Sequence, residues 1–190
     1  MSTASILIAG IGNIFLGDDA FGSEVARRLM GRPQPPGVRV VDFGIRGLDL
    51  TYALSDGCDL AILIDAMPRG GTPGTVYVLE PPADSDDVDP SHEPVFNAHS
   101  MDPMTVLRTV AQMGAAIGRI LIVGCEPTPI ADPEDDMNME MSPAVAAAID
   151  EAIAVVESLV KQRLENDSGP PSIFPPAQAS PAPGPTEFAL

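Results

Sequence analysis

The chain has 190 residues and a net charge of −17, which comes from 27 acidic and only 10 basic side chains. A surface this acidic repels nucleic acid and anionic lipid, so we expect neither as a partner. It suits a cation or a basic partner, although the charge also serves solubility alone. The length allows one domain with a sizeable core, built without Trp from aliphatic residues and Met.

The cysteines and the opening of the chain predict a cytoplasmic protein. Residues 1–17 carry no side-chain charge, but they lack the basic start of a signal peptide and are interrupted by Gly10 and Gly12. No apolar stretch approaches the ~18 residues of a membrane span. Cys58 and Cys125 lie in or beside apolar runs, so we expect buried thiols and no disulfide.

Strand and helix patterns alternate along the first half of the chain. The apolar run at 5–10 predicts a buried strand, and the next helix is expected at 19–31, with Phe21, Val25 and Leu29 on one face. After a proline-rich loop come a strand, a short helix and a third strand, at 38–43, 47–55 and 59–65.

The next predicted strand has a direction that follows from its spacing. About nine residues separate 59–65 from the strand at 75–80, whereas a parallel crossover usually needs a dozen or more. We therefore expect 75–80 to be an antiparallel edge strand. The remaining elements are a helix after Ser100, a strand, and a long helix capped by Ser142, at 102–115, 119–124 and 143–164.

Together these elements predict an α/β fold. It is a single three-layer domain with a mostly parallel, five-stranded twisted sheet, helices on both faces and one antiparallel edge strand. Residues 1–164 form this domain, and residues 165–190, with seven prolines, are expected to be a proline-rich disordered tail. If the second strand lies outside the first and the third lies on its other side, a binding crevice forms where the strand order reverses.

The first loop carries acids where a nucleotide-binding fold would have glycine. After Gly10 and Gly12, a dinucleotide fingerprint needs a third glycine where Phe15 stands. The acidic pair Asp18 and Asp19 would repel a pyrophosphate and attract a cation. The loop therefore points away from a dinucleotide and toward a metal.

Three side chains from distant parts of the chain can meet at this crevice. Asp19 lies in the first loop, Asp65 ends the third strand, and His99 lies in the loop before the third helix. Two carboxylates and one imidazole form an open site for a divalent transition metal, with room for water or for groups from a partner. Asp42, at the end of the second strand, and Asn13 are expected beside these ligands.

Each candidate also has a structural interpretation. Asp18 is expected to cap the helix that follows it, and Asp19 could be a first-turn acid that complements the helix dipole. Asp65 could form a turn, and a lone histidine near a helix start, such as His99, is more often structural than a ligand. Structural roles are assigned to the rest of the opening motif, Gly10, Gly12, Asp18 and Gly22.

The opening motif, Gly10-x-Gly12-Asn13-x-x-x-x-Asp18-Asp19-x-x-Gly22, resembles that of the hydrogenase maturation endopeptidases. The similarity spans residues 5–163 and continues through Asp42-Phe43-Gly44, Ile64-Asp65-Ala66, Pro73-Gly74-Thr75, Asn97-Ala98-His99, Val123-Gly124-Cys125-Glu126-Pro127 and Met141-Ser142-Pro143. The resemblance implies a protease that trims the C-terminus of nickel-iron hydrogenase large subunits, with the large-subunit precursor as partner. The family's metal-binding residues map to Asp19, Asp65 and His99, although many members have Glu where this chain has Asp19.

The resemblance further implies that the protease recognises nickel carried by the substrate, and that it needs no organic cofactor. Because the chain has no suitable thiolate pair, the sulfur ligands of a soft nickel site would come from the substrate. The metal could polarise the scissile carbonyl or activate a water, or Asp19 or Asp65 could be the general base. Two other functions stay open: a non-catalytic metal-site assembly chaperone for the same subunit, and a small-molecule α/β enzyme.

Overall fold

The computed structural model describes residues 5–81, 103–114, 118–129 and 140–166, which form five strands and four α-helices. In chain order these are β1 (Ile6–Ile11), α1 (Phe21–Met30), β2 (Val38–Gly44), α2 (Gly47–Ser55), β3 (Leu60–Ala66), β4 (Val76–Leu79), α3 (Pro103–Gln112), β5 (Arg119–Cys125) and α4 (Pro143–Glu165). Every predicted element is present, with its ends moved by at most three residues. Ser100 and nearly all of the predicted tail lie outside the described residues.

The strands form one sheet in the order β2-β1-β3-β5-β4. All neighbours are parallel except β4, which is antiparallel to β5 at the edge. The predicted antiparallel edge is therefore confirmed, and the condition for a crevice between β1 and β3 is met, since β2 lies outside β1 and β3 on its other side. Gly10 pairs with both Asp42 and Ile64, so β1, β2 and β3 end at the same level. Their carboxyl ends form one edge of the sheet, which we call the carboxyl edge.

Two apolar layers enclose the sheet, one on each face. Alternate β1 residues such as Ile6 and Ile8 pack with α1 and α4, whereas Leu7 and Ala9 pack with α2 and α3. The predicted α1 face is buried, since its residue Val25 has no exposed surface. Because β1 and β3 are covered on both sides, they are continuously apolar, as is typical of central parallel strands.

The structure corrects two local expectations. The first helix begins at Phe21 and not at residue 19, because Gly17–Ala20 forms a separate 3-10 turn. Asp18 therefore does not cap α1, and neither helical segment has a side-chain N-cap bond. Cys125 is buried as expected, but Cys58 is only half-buried; both are free thiols. Within the described ranges, no helix is both long and apolar enough to cross a membrane.

Candidate active site

Two glycines bring the start of α1 directly onto the carboxyl ends of β1 and β3. A Cβ on Gly22 would lie 2.0 Å from the carbonyl oxygen of Ile64 and 2.2 Å from that of Ile11. A Cβ on Gly10 would lie 2.4 Å from the carbonyl oxygen of Gly22. Neither position has room for a side chain, so these motif glycines set the helix-to-sheet distance.

The loop between β1 and the 3-10 turn is folded around the Asp19 carboxylate. The backbone N–H of Asn13 donates to Asp19 Oδ2 at 2.8 Å, and the Asn13 side chain accepts the N–H of Phe15 at 3.0 Å. Gly12 has φ +141°, and a Cβ there would lie 1.9 Å from the Asp19 carbonyl oxygen. The loop conformation therefore requires glycine at position 12, and Asn13 contacts Asp19 directly.

The Asp19 carboxyl has a higher pKa than an ordinary aspartate, although the residue is exposed. Burial raises the pKa of Asp19 above its usual 3.8, and the hydrogen bond from Asn13 offsets this only in part. A nearby cation would favour the charged form.

Asp65 is a buried acid at the end of β3, with 6% of its surface exposed. Its Oδ1 accepts the backbone N–H of Ala66 at 2.9 Å. Strand alternation places Asp65 on the sheet face that α2 and α3 cover, since Leu63 packs in that layer. The 3-10 turn that carries Asp19 contacts β3, so both acids belong to touching elements at the carboxyl edge.

The third proposed ligand, His99, lies outside the described residues, as do its neighbours Asn97 and Ala98. Helix α3, which begins four residues later at Pro103, packs against α2 on the sheet face that Asp65 occupies. In the part of the chain that the structure describes, no three His, Cys, Asp or Glu side chains could share a metal. The three-ligand site remains a prediction.

Asp42 closes a turn at the end of β2. Its Oδ1 accepts the N–H of Gly44 at 3.0 Å, and the Arg46 guanidinium donates to its carbonyl oxygen. Asp42 is level with Ile64, which packs in the α1 layer, so it is on the opposite face from Asp65. A role for Asp42 beside the metal remains a prediction.

Asp18 does not cap a helix itself but bonds to the residue that caps α4. Its Oδ1 accepts the backbone N–H of Ser142 at 2.6 Å, and its Oδ2 accepts the Ser142 hydroxyl at 2.9 Å and the N–H of Thr128 at 2.8 Å. Ser142 in turn caps α4 by accepting the N–H of Val145. Burial opposes ionisation, but these bonds from Thr128 and Ser142 hold the pKa of Asp18 below its usual value. Asp18 thus joins the 3-10 turn, the end of β5 and the start of α4.

The sequence interpretation missed a buried carboxylate, Glu126. It is 4% exposed, and it accepts the backbone N–H groups of Arg69 and Gly70 at 2.9 Å each. Burial disfavours its charge, but the N–H groups of Arg69, Gly71 and Gly70 outweigh that effect and lower its pKa. Glu126 therefore holds the loop that follows Asp65. The sequence did contain a signal for it: Glu126 directly follows the buried strand β5, much as Asp65 lies at the end of β3.

Tyr77 holds the same loop from the other side. Its hydroxyl donates to the carbonyl oxygen of Met67, and the Arg69 guanidinium lies 5.1 Å from its ring centroid. A Cβ on Gly124 would lie 2.3 Å from the Tyr77 ring, so the ring packs flat on β5 only because residue 124 is glycine. Burial raises the pKa of Tyr77 to about 12, so the hydroxyl stays a donor at neutral pH.

Cys125 is unsuited to nucleophilic catalysis. Burial, together with the charges of Asp18 and Glu126, raises the pKa of its thiol to about 11. Thiolate is the reactive form, so the thiol is inert near neutral pH.

Known proteins with similar sequences carry names that refer to hydrogenase maturation, expression or formation. A family model described as hydrogenase maturation protease matches residues 23–159, a range that contains positions 65 and 99 but begins after Asp19. A putative hydrogenase maturation protease of Methanocaldococcus jannaschii is 29% identical over 85% of this chain and all of the relative. The hydrogenase expression/formation protein HupD of Rhodobacter capsulatus is 32% identical over 78% of this chain and 68% of its own.

Solved structures agree with the fold. The hydrogenase maturating endopeptidase HybD of Escherichia coli has a TM-score of 0.64 at 24% identity, covering 83% of this chain and 93% of that one. A hydrogenase 2 maturation peptidase of a Thaumarchaeota archaeon has a TM-score of 0.61 at 26% identity, and the match covers 83% of this chain and 98% of that one. The chain belongs to the hydrogenase maturation protease family and is a peptidase.

Proposed function

We propose that the chain removes a C-terminal extension from the large subunit of a nickel-iron hydrogenase after nickel insertion, recognising the metal through Asp19, Asp65 and His99. The observation that carries the proposal is that Asp19 and Asp65 lie on two elements that contact each other at the carboxyl edge, the 3-10 turn and β3. One is buried and the other has a raised pKa, as groups at reactive sites often have.

The donor set fits nickel that the substrate already carries. Carboxylates and an imidazole are hard and intermediate ligands, whereas a soft nickel site also needs thiolates. Cys58 and Cys125 do not supply them, since burial raises the pKa of each thiol to about 11. The sulfur ligands would then belong to the precursor. Two free thiols also suit the cytoplasm, which we keep as the proposed compartment.

For hydrolysis, we assign Asp19 as the proton acceptor for the attacking water. A general base works best with a pKa near the working pH, and the pKa of Asp19 is raised in that direction. Asp65, buried and bonded to the Ala66 N–H, would keep its place while the substrate binds. Bound nickel would supply Lewis-acid chemistry at the same edge.

The deciding experiment compares nickel-loaded and nickel-free precursor, each incubated with the purified enzyme and then weighed by mass spectrometry. We expect loss of the C-terminal peptide only from the loaded precursor. Equal cleavage of both forms would contradict nickel recognition. Stoichiometric binding with no loss of mass would contradict proteolysis and favour the assembly chaperone.

Three variants test the residues. Asp19→Asn, Asp65→Asn and His99→Ala are each expected to abolish processing with the fold intact. Asp56→Asn is the matched control, because Asp56 is an exposed acid at the far end of α2. Full processing by any of the three variants would remove that residue from the proposed site.

A further inference from the structure

Large apolar side chains are concentrated on one part of the described surface. Six of the nine exposed large hydrophobic residues in the described ranges lie in the loops after β1 and β2 and on α2. We call these six the apolar patch: Ile14, Phe15, Leu16, Ile45, Leu48 and Tyr52, which are 43–61% exposed. Single exposed hydrophobic residues are ordinary, but an apolar cluster of this kind is typical of an interaction surface.

The two loops leave the sheet side by side. Ile11 pairs with Gly44, and the N–H of Gly12 donates to the Gly44 carbonyl oxygen at 3.1 Å. Ile14 also lines a cleft together with Asp42 at the end of β2. The two halves of the apolar patch therefore begin from neighbouring backbone positions.

The α2 part of the apolar patch is separate from the core. Leu50 and Leu54 of α2 are fully buried, whereas Leu48 and Tyr52, four residues apart, point outward and are 57% and 56% exposed. The helix is thus apolar on two faces, of which only the face with Leu50 and Leu54 packs against the core. Phe15 and Tyr52 are aromatic, the residue type that most often anchors protein interfaces.

The apolar patch is continuous with the candidate active site. The Asp19 carboxylate accepts the N–H of Asn13, and the next residue along is Ile14. A protein whose C-terminal segment lies at Asp19 must cover this loop. The six side chains of the patch are uncharged, and Asp49, which lies on α2 between Leu48 and Tyr52, pairs with Arg46 at 3.7 Å.

We propose that the apolar patch is the docking surface for the hydrogenase large-subunit precursor, which contacts it through an apolar surface of its folded body next to the segment to be cleaved. The inference rests on the proposed function. On this proposal Asp19 and Asp65 act on the segment that is cleaved, and the apolar patch binds the folded body of the precursor.

The test uses Phe15→Ser, Leu48→Ser and the double variant in the precursor-cleavage assay. We expect KM for the folded precursor to rise at least about tenfold in the double variant, the effect of losing interface anchors, with kcat within about twofold. Met30→Ser is the matched control, since Met30 is 48% exposed at the end of α1, away from the carboxyl edge. It should leave KM unchanged, and unchanged thermal unfolding of all variants shows that the fold is intact.

Direct binding of the precursor separates the two proposals. If the wild type cleaves the precursor and the double variant keeps the same KM and affinity, the docking surface is wrong and the proposed function stands. If the wild type binds but never cleaves, the proposed function fails, and the affinity of the double variant alone decides the docking surface. If the double variant only converts a dimer to a monomer, with unchanged precursor affinity, the apolar patch is a contact between copies and the proposal is overturned.

Discussion

The Asp18 cluster gives a stability prediction whose size and pH dependence can both be worked out. Asp18 accepts three hydrogen bonds, two from Ser142 and one from the N–H of Thr128. Hydrogen bonds to a charged group contribute roughly 1.5–3 kcal/mol each when buried. Asp18 is half-buried, so solvent screening reduces that figure, and the freed N–H groups can bind water. We expect Asp18→Ala to lower the free energy of unfolding by about 2–3 kcal/mol, and Asp18→Asn by about half as much.

The pH dependence distinguishes this account from a general packing defect. The pKa of Asp18 is lower in the folded chain than the usual 3.8, so the unfolded chain binds the proton more tightly. The stabilisation is therefore complete above about pH 5, and it is lost as pH falls through 3.8 and then through the lower folded pKa. Urea unfolding of wild type and Asp18→Asn at pH 7, 5 and 3.5 measures it. A difference that stays constant down to pH 3.5, or that Asp56→Asn reproduces, would refute the reasoning.

Three further changes have defined outcomes. Gly22→Ala should lower the free energy of unfolding by about 3 kcal/mol in urea, because its Cβ would meet the Ile64 carbonyl at 2.0 Å, whereas Gly31→Ala, whose nearest contact is 3.4 Å, should have little effect. Glu126→Gln should speed amide hydrogen exchange in the loop after β3 while leaving exchange in β1 unchanged; equal protection in both proteins would contradict its role. Asp19→Asn should stabilise the fold at neutral pH. The pKa of Asp19 is raised in the folded chain, so the wild type has its full stability below pH 3.8, where the carboxyl is protonated, and loses some of it as pH rises through the folded pKa. Lower stability of that variant at pH 7 would show that the sign is wrong.

Local patterns were sufficient to predict the fold. The residues of α2 match the predicted 47–55, and the short connection before β4 correctly required an antiparallel edge. Both features depend on spacing within a few residues, which a sequence displays directly. The order of β1, β2 and β3 was only assumed from the sequence, because it depends on contacts between distant parts of the chain.

The partners of individual acids could not be predicted in the same way. Asp18 bonds to Ser142, which is 124 residues away, and Glu126 bonds to Arg69, which is 57 residues away. Nothing near Asp18 in the sequence shows whether it caps the following helix or bonds to Ser142, the N-cap of α4. The position of Asp18 after β1 did indicate the correct edge of the sheet, because the carboxyl ends of the parallel strands lie at that edge.

One carboxylate fixes both ends of the long connection between β5 and α4. Thr128 begins that connection and Ser142 ends it, and Asp18 bonds to both. Because both anchor points meet on this one carboxylate, a single substitution or a single protonation at residue 18 releases the two together.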